Sequence, residues 1–171
     1  KVDHTTSGDT IAMVLRHGRG GLSGYAGKAV SFVGNDSTEE GSIVIGTTST
    51  AYNTSSDYRL KENQVAISDG ITRLKTLKPY RFNFKKDPDV TVDGFFAHEV
   101  TAVPEAITGE KDKVITQSQV DDGSREEADL GKPEYQQIDQ SKLVPLLTAA
   151  LQEAIGKIEV LETKVATLEA G

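Results

Sequence analysis

The chain has no cysteine, so thiol nucleophiles, disulfide frameworks and thiolate metal sites are excluded together. Any chemistry must come from Ser, Thr, Lys, His, Asp or Glu. The most informative run is Ser55-Ser56-Asp57-Tyr58-Arg59-Leu60-Lys61-Glu62-Asn63. A serine hydroxyl attacks well only when a base removes its proton, and a lysine is that base only when neutral. An ordinary lysine, with a pKa of about 10.4, is neutral in roughly one molecule in two thousand at pH 7. Desolvation disfavours the ammonium and lowers a lysine pKa by up to about 3 to 5 units, each unit being about 1.36 kcal/mol. That cost has to be met by folding or by assembly. A step of five puts Ser56 and Lys61 on the same side of neither an ideal helix nor a strand, so a loop entering a helix must bring them together. Alone the pair is weak evidence, because Ser56-Asp57 before a helical stretch also reads as an N-cap with acid in the first turn.

Other chemistry-bearing residues have plainer readings. In His17-Gly18-Arg19-Gly20-Gly21-Leu22-Ser23-Gly24 the glycines could cradle an anion, but the Gly-Lys-Ser/Thr ending of a phosphate loop is missing. A turn between strands is expected. His4, His17 and His98 are far apart in sequence and lack i, i+4 pairing, so no metal site and no cofactor is expected. Tyr80, Phe82 and Phe84 alternate with Arg81 and precede Lys85 and Lys86, a mixture that single-strand nucleic-acid binders use. In an alternating strand the aromatics are core and the charges face water. The net charge of -7 also disfavours a phosphate backbone as partner. No run approaches the roughly 20 apolar residues of a membrane-spanning helix, so neither nucleic acid nor membrane is an expected partner.

Three stretches must position the Ser56 run. Residues 1 to 55 are rich in Gly, Ser and Thr, with short apolar runs at Ile11-Ala12-Met13-Val14-Leu15, Ala29-Val30-Ser31-Phe32-Val33 and Ser42-Ile43-Val44-Ile45. Short strands between turns are predicted, with too few large apolar side chains for a thick core; burial against identical neighbours would supply one. Opening at Lys1 on mid-domain sequence, the chain is read as a fragment of a longer protein. Residues 56 to 135 are mixed. Ile67, Ile71, Leu74 and Leu77 predict a short helix to about Thr76, ended with the help of Pro79. Tyr80 to Phe84 predict a strand, Asp87-Pro88-Asp89 a turn, and Val90 to Ala97 a returning strand. Gly109 to Pro133 reads as an exposed loop or arm.

Residues 139 to 169 change pattern again. Val144, Leu151, Ile158 and Val165 recur every seven residues and interleave with Leu147, Ala154, Leu161 and Leu168. Alternating steps of four and three make a coiled-coil seam, on a helix expected to start near Lys142 with Asp139 or Ser141 as cap and Pro145 in its first turn. The competing reading is a helix packed on its own domain. The heptads alone do not fix the number of strands.

Gly46-Thr47-Thr48, Tyr52 and the Ser-Asp-x-Arg-x-Lys-Glu run from Ser56 to Glu62 resemble the signature of the C-terminal intramolecular chaperone auto-processing domains of bacteriophage tail spikes and tail fibres. So do Leu77-Lys78-Pro79-Tyr80-Arg81-Phe82, Gly94-Phe95-Phe96-Ala97-His98-Glu99-Val100 with Pro104, and Tyr135 with Leu143-Val144-Pro145-Leu146-Leu147 to Ala150-Leu151-Gln152-Glu153. Phe96 in place of an aliphatic residue and His98 in place of Gln are the departures. The resemblance, over residues 46 to 169, implies an autocatalytic serine peptidase with Ser56 as nucleophile and Lys61 as general base, Arg59 and Glu62 being candidate supporting residues. It places cleavage at Ser56-Asp57, whereas direct attack on the preceding carbonyl would cut Ser55-Ser56.

The resemblance further implies an α+β, elongated, intertwined homotrimer: a β-rich spike end at 1–55, and a chaperone domain at 56–171 whose 139–169 helix forms a triple coil. The partners are then the chain's own copies and the upstream spike segment of the same polypeptide. Assembly would occur in host cytoplasm, with the spike retained in the virion tail and the chaperone released. One alternative is a non-cleaving trimerisation domain. Another is a self-cleaving membrane-bound transcription factor of the same domain family, which the absence of a membrane span before Gly171 disfavours in this reading.

Overall fold

The computed structural model describes residues 27–171; the expected Ile11–Leu15 strand, the His17–Gly24 turn, His4 and His17 lie outside the described residues. The chain divides into two compact units, residues 1–64 and 65–171. Strands and helices are both present, as expected for an α+β chain.

In the first unit β1 (Gly27–Val33), β2 (Glu39–Ile45) and β3 (Thr50–Thr54) form an antiparallel sheet in that order. The β-branched runs around Val30 and Ile43 favour strands, and the segments 34–38 and 46–49 turn the chain back twice. Val30 pairs with Ile43 and Ile43 with Tyr52, while Phe32 pairs with Gly41. Since alternate residues share a face, Val30, Phe32, Ile43, Ile45 and Tyr52 lie on one side of the sheet. That side is open: Phe32 is 55% and Tyr52 79% exposed. Among the described residues of this unit only Ser42 is buried.

The second unit has its own core. Val100, Val103, Ala106, Leu143 and Leu146 are buried together, with Leu77, Phe95, Ala102, Ile107 and Ile138 packed around them. α1 (Gly70–Leu74) is shorter than the predicted helix. It packs on α3 (Val144–Glu169) at Gly70, where an added Cβ would lie 2.6 Å from the Ala150 backbone nitrogen. The exposed backbone of α1's first turn is met by Glu153, whose carboxylate accepts a 2.9 Å hydrogen bond from Ile71 N–H.

β4 (Tyr80–Phe84) and β5 (Asp87–Gly94) form the predicted hairpin. The turn falls at Lys85-Lys86, earlier than the expected Asp87-Pro88-Asp89, because the register shifts between Asn83 and Phe84 and Phe84 pairs with Asp87. Tyr80 and Phe82 are half-buried, and Phe96 has its ring 4.9 Å from Tyr80 and 5.9 Å from Phe82; His98 stacks on Phe96 in turn. The two departures from the family pattern thus belong to one aromatic cluster. Arg81 turns outward to pair with Asp93.

Residues 109–133, expected as an exposed arm, are largely solvent-facing yet locally organised. Gln119 accepts from Thr116 N–H to cap α2 (Gln117–Asp121), and Ile115 is buried. Arg125, Lys113 and Gln119 converge on Glu134, and these contacts hold its carboxyl down at about 2. β6 (Ile107–Thr108) and β7 (Gln137–Ile138) close the base of this excursion.

The last helix begins close to where the sequence places it. Asp139 accepts from Ser141 N–H at the head of a 3-10 turn spanning Gln140–Leu143, and Pro145 falls in the first turn of α3. Its contacts within the chain use Leu146, Ala150 and Glu153. The two heptad series point elsewhere. Val144, Leu147, Leu151, Ile158, Leu161, Val165 and Leu168 are 47% to 81% exposed, leaving Ala154 as the one half-buried member.

Candidate active site

The Ser56 loop is suspended from the sheet by its first residue. Ser55 N–H donates to Glu40 O and Ser55 Oγ to Glu39 O, both at 2.9 Å, so Ser56 leaves a fixed point at the end of the β2–β3 ladder. Asp57, with an extended backbone, then caps the single 3-10 turn Tyr58–Leu60, accepting from Arg59 N–H at 2.9 Å. Lys61 closes that turn through its N–H to Tyr58 O, and Asn63, at a φ of 53°, bends the chain away. A short polar side chain is well suited to that left-handed backbone.

This turn brings together the two residues that a spacing of five separates on any regular element. Lys61 Nζ donates to Ser56 Oγ across 2.7 Å. With a neutral amine the contact reverses, the hydroxyl donating to the nitrogen lone pair, which is the arrangement proton removal requires. Arg59 folds back on Asp57: Nε reaches Oδ1 at 2.9 Å and Nη2 reaches Oδ2 at 2.8 Å. This fork, with the Arg59 N–H, holds the Asp57 carboxyl below its usual range, and the carboxylate holds the guanidinium's proton more firmly in return. Glu62 is exposed and meets no basic partner in the loop.

Among the described residues of the chain, none covers this constellation. Ser56, Asp57, Arg59, Lys61 and Glu62 are exposed, and the intervening Tyr58 and Leu60 are 80% and 64% exposed. The described residues of a single chain thus leave Lys61 open to solvent. Among the described residues no three His, Asp or Glu side chains converge on a place for a metal ion, and no helix is long and apolar enough to cross a membrane.

Of the residues named from the sequence, Ser56 meets Lys61 and Asp57 meets Arg59, Ser55 of the less favoured cleavage bond bonds back to β2, and Glu62 stands apart. Ser55 as the loop's anchor and Asp57 as the clamp for Arg59 are roles that the residue types alone do not reveal. An Asp at a cap position followed two residues later by Arg is the signal for the second.

A serine and a lysine in direct contact on a loop of an α+β chain define a candidate serine/lysine site. Residues 56–108 match the model of the peptidase S74 family, described as the chaperone of endosialidase, and this match supports the intramolecular chaperone family that the resemblance implies. The match begins at Ser56 itself, runs through the β4–β5 hairpin to Thr108 and covers less than half of the chain. It supports a chaperone role for the chain. No curated protein matches the chain.

Proposed function

We propose that the chain is an intramolecular chaperone that assembles as a homotrimer, guides the folding of an upstream phage tail spike or fibre, and then releases itself by autoproteolysis next to Ser56. The observation that carries this reading is the 2.7 Å contact between Lys61 Nζ and Ser56 Oγ at the start of the family match. Trimeric assembly has separate support. The seam of α3 is open along the helix, while the chain's own packing uses Leu146, Ala150 and Glu153. An uncovered apolar stripe of this length calls for partner helices.

In this reading assembly comes first. Neighbouring copies close over Tyr58, Leu60 and the Ser56–Lys61 pair, and the desolvated lysine loses its proton. Neutral Lys61 then takes the hydroxyl proton as Ser56 Oγ bonds to a carbonyl carbon; the C–N bond breaks, and the leaving amine takes the proton from Lys61. Water hydrolyses the resulting ester. Attack on the Ser55 carbonyl is open to the Ser56 hydroxyl of the same chain, through a five-membered ring. Attack on the Ser56 carbonyl by its own hydroxyl would close a four-membered ring, so cutting at Ser56-Asp57 calls for a hydroxyl from a second copy or a lysine-activated water. Loss of the chaperone leaves the upstream fibre kinetically trapped.

The exposure of the pair in a single chain favours one second reading, a trimerisation domain that never cuts. Intact masses of wild type, Ser56→Ala and Lys61→Ala, each also measured under native conditions, separate the two. Autoproteolysis predicts wild-type fragments that meet beside Ser56, and whole, trimeric variants. A full-length wild-type trimer that persists would leave only the structural role.

A further inference from the structure

We infer that Arg59 is a positioning residue that keeps the Asp57 carboxylate away from Lys61, so that the lysine remains free to serve Ser56; this rests on the autoproteolytic reading above. Asp57 and Lys61 cap the two ends of one 3-10 turn. The rise between them is roughly 8 Å, a gap their two side chains together can close. A carboxylate beside a lysine favours the ammonium, the wrong form for a general base. Asp57 is thus the natural inhibitor of its own site.

The loop shows how this is avoided. Arg59 engages both carboxylate oxygens, at 2.9 and 2.8 Å, and its own N–H adds a third bond. Asp57 is thereby committed to Arg59, and the contact shown for Lys61 Nζ is with Ser56 Oγ. A lysine at position 59 would lack the planar two-point fork and hold Asp57 less completely.

The other charged groups near Lys61 do not replace this device. Glu62 is its exposed neighbour in sequence. On β2, from which the loop hangs, Glu39 is held by Lys28 and Ser31, and Glu40 is exposed. Asp57 is the acid that shares the 3-10 turn with Lys61. Because the Arg59–Asp57 pair is itself solvent-exposed, its loss should cost little stability. The effect to be expected lies in chemistry.

The test compares self-cleavage rates of wild type, Arg59→Gln, Arg59→Lys and the double variant Asp57→Asn/Arg59→Gln across neutral to alkaline pH, with native masses confirming equal assembly. Arg59→Gln should cut at least tenfold more slowly at neutral pH and recover in alkali, with Arg59→Lys in between. The double variant, having no carboxylate to capture the lysine, should regain most of the neutral rate. An Arg59→Gln chain that cuts like wild type, or a double variant as slow as the single one, overturns the inference. A wild type that does not cut at all overturns the autoproteolytic reading instead.

Discussion

The two units of this chain solve the problem of burial differently. Residues 65–171 build a core from Val100, Val103, Ala106, Leu143 and Leu146, each at most 3% exposed, although all their helices and strands except α3 are short. The sheet of residues 27–54 has comparable apolar residues, yet leaves Phe32 and Tyr52 more than half exposed and buries Ser42 alone among its described residues. The same contrast recurs inside α3, where the turns around Leu146 and Ala150 are sheltered by the chain while Leu161, Val165 and Leu168 are bare. One part of the molecule buries its own core, and the other leaves apolar surface open, which the proposed homotrimer would cover. The Ser56 loop belongs to the second kind, which is why the proposed function ties its chemistry to assembly.

Substitutions can break this contrast. The largest effect is expected from Leu146→Ala, which should destabilise the second unit by about 2 to 5 kcal/mol through lost burial and a residual cavity. Phe32→Ala should change the unassembled chain by less than about 0.5 kcal/mol, as an exposed site does. Denaturant unfolding of the monomer measures both, and equal losses would erase the distinction between the units.

Next comes Gly70→Ala. Its Cβ would fall 2.6 Å from Ala150 N and 2.8 Å from the Ala149 carbonyl carbon, so α1 and α3 must separate, at a cost of about 1 to 3 kcal/mol in the same experiment. An unchanged midpoint would mean that the α1–α3 contact is looser than described.

A smaller effect sharpens the comparison through pH. Glu134 titrates at about 2 in the folded chain, against 4.5 for an ordinary glutamate, because Arg125, Lys113 and Gln119 bond to its carboxylate. Its stabilisation is therefore whole above about pH 4.5 and lost as pH falls towards 2. Thermal melts across that window should show Glu134→Gln losing less stability with acid than wild type does. Parallel curves would show that the clamp contributes nothing.

Much of this organisation is legible in the sequence because it is periodic. The Tyr80–Phe84 alternation, the heptads after Val144 and the strand-forming runs at Val30 and Ile43 each become the expected kind of element. The misplaced features depend on contacts between distant residues or on weaker local signals. α1 is confined to Gly70–Leu74, and Gly70 reads as a weak helix residue until Ala150 is seen against it. The hairpin turn moves because of an irregular pairing at Asn83 and Phe84. The Leu146, Ala150 and Glu153 face has helical spacing, but the stronger heptad series obscures it. Thr116 with Gln119 three residues later is a capping signal inside a stretch whose acidity reads as an arm. At the candidate site, Ser56 and Lys61 are visible as residue types, whereas their 2.7 Å contact depends on a turn capped by Asp57.

The proposed coupling of assembly to self-cleavage is tested most directly by breaking the seam while leaving the site intact. In an Ile158→Asp/Leu161→Asp chain, native mass spectrometry read alongside a cleavage time course reports both events in one sample. The account predicts an uncut monomer with a folded second unit, beside a wild type that trimerises before fragments appear. A seam variant that stays monomeric and still cuts itself next to Ser56 would contradict it.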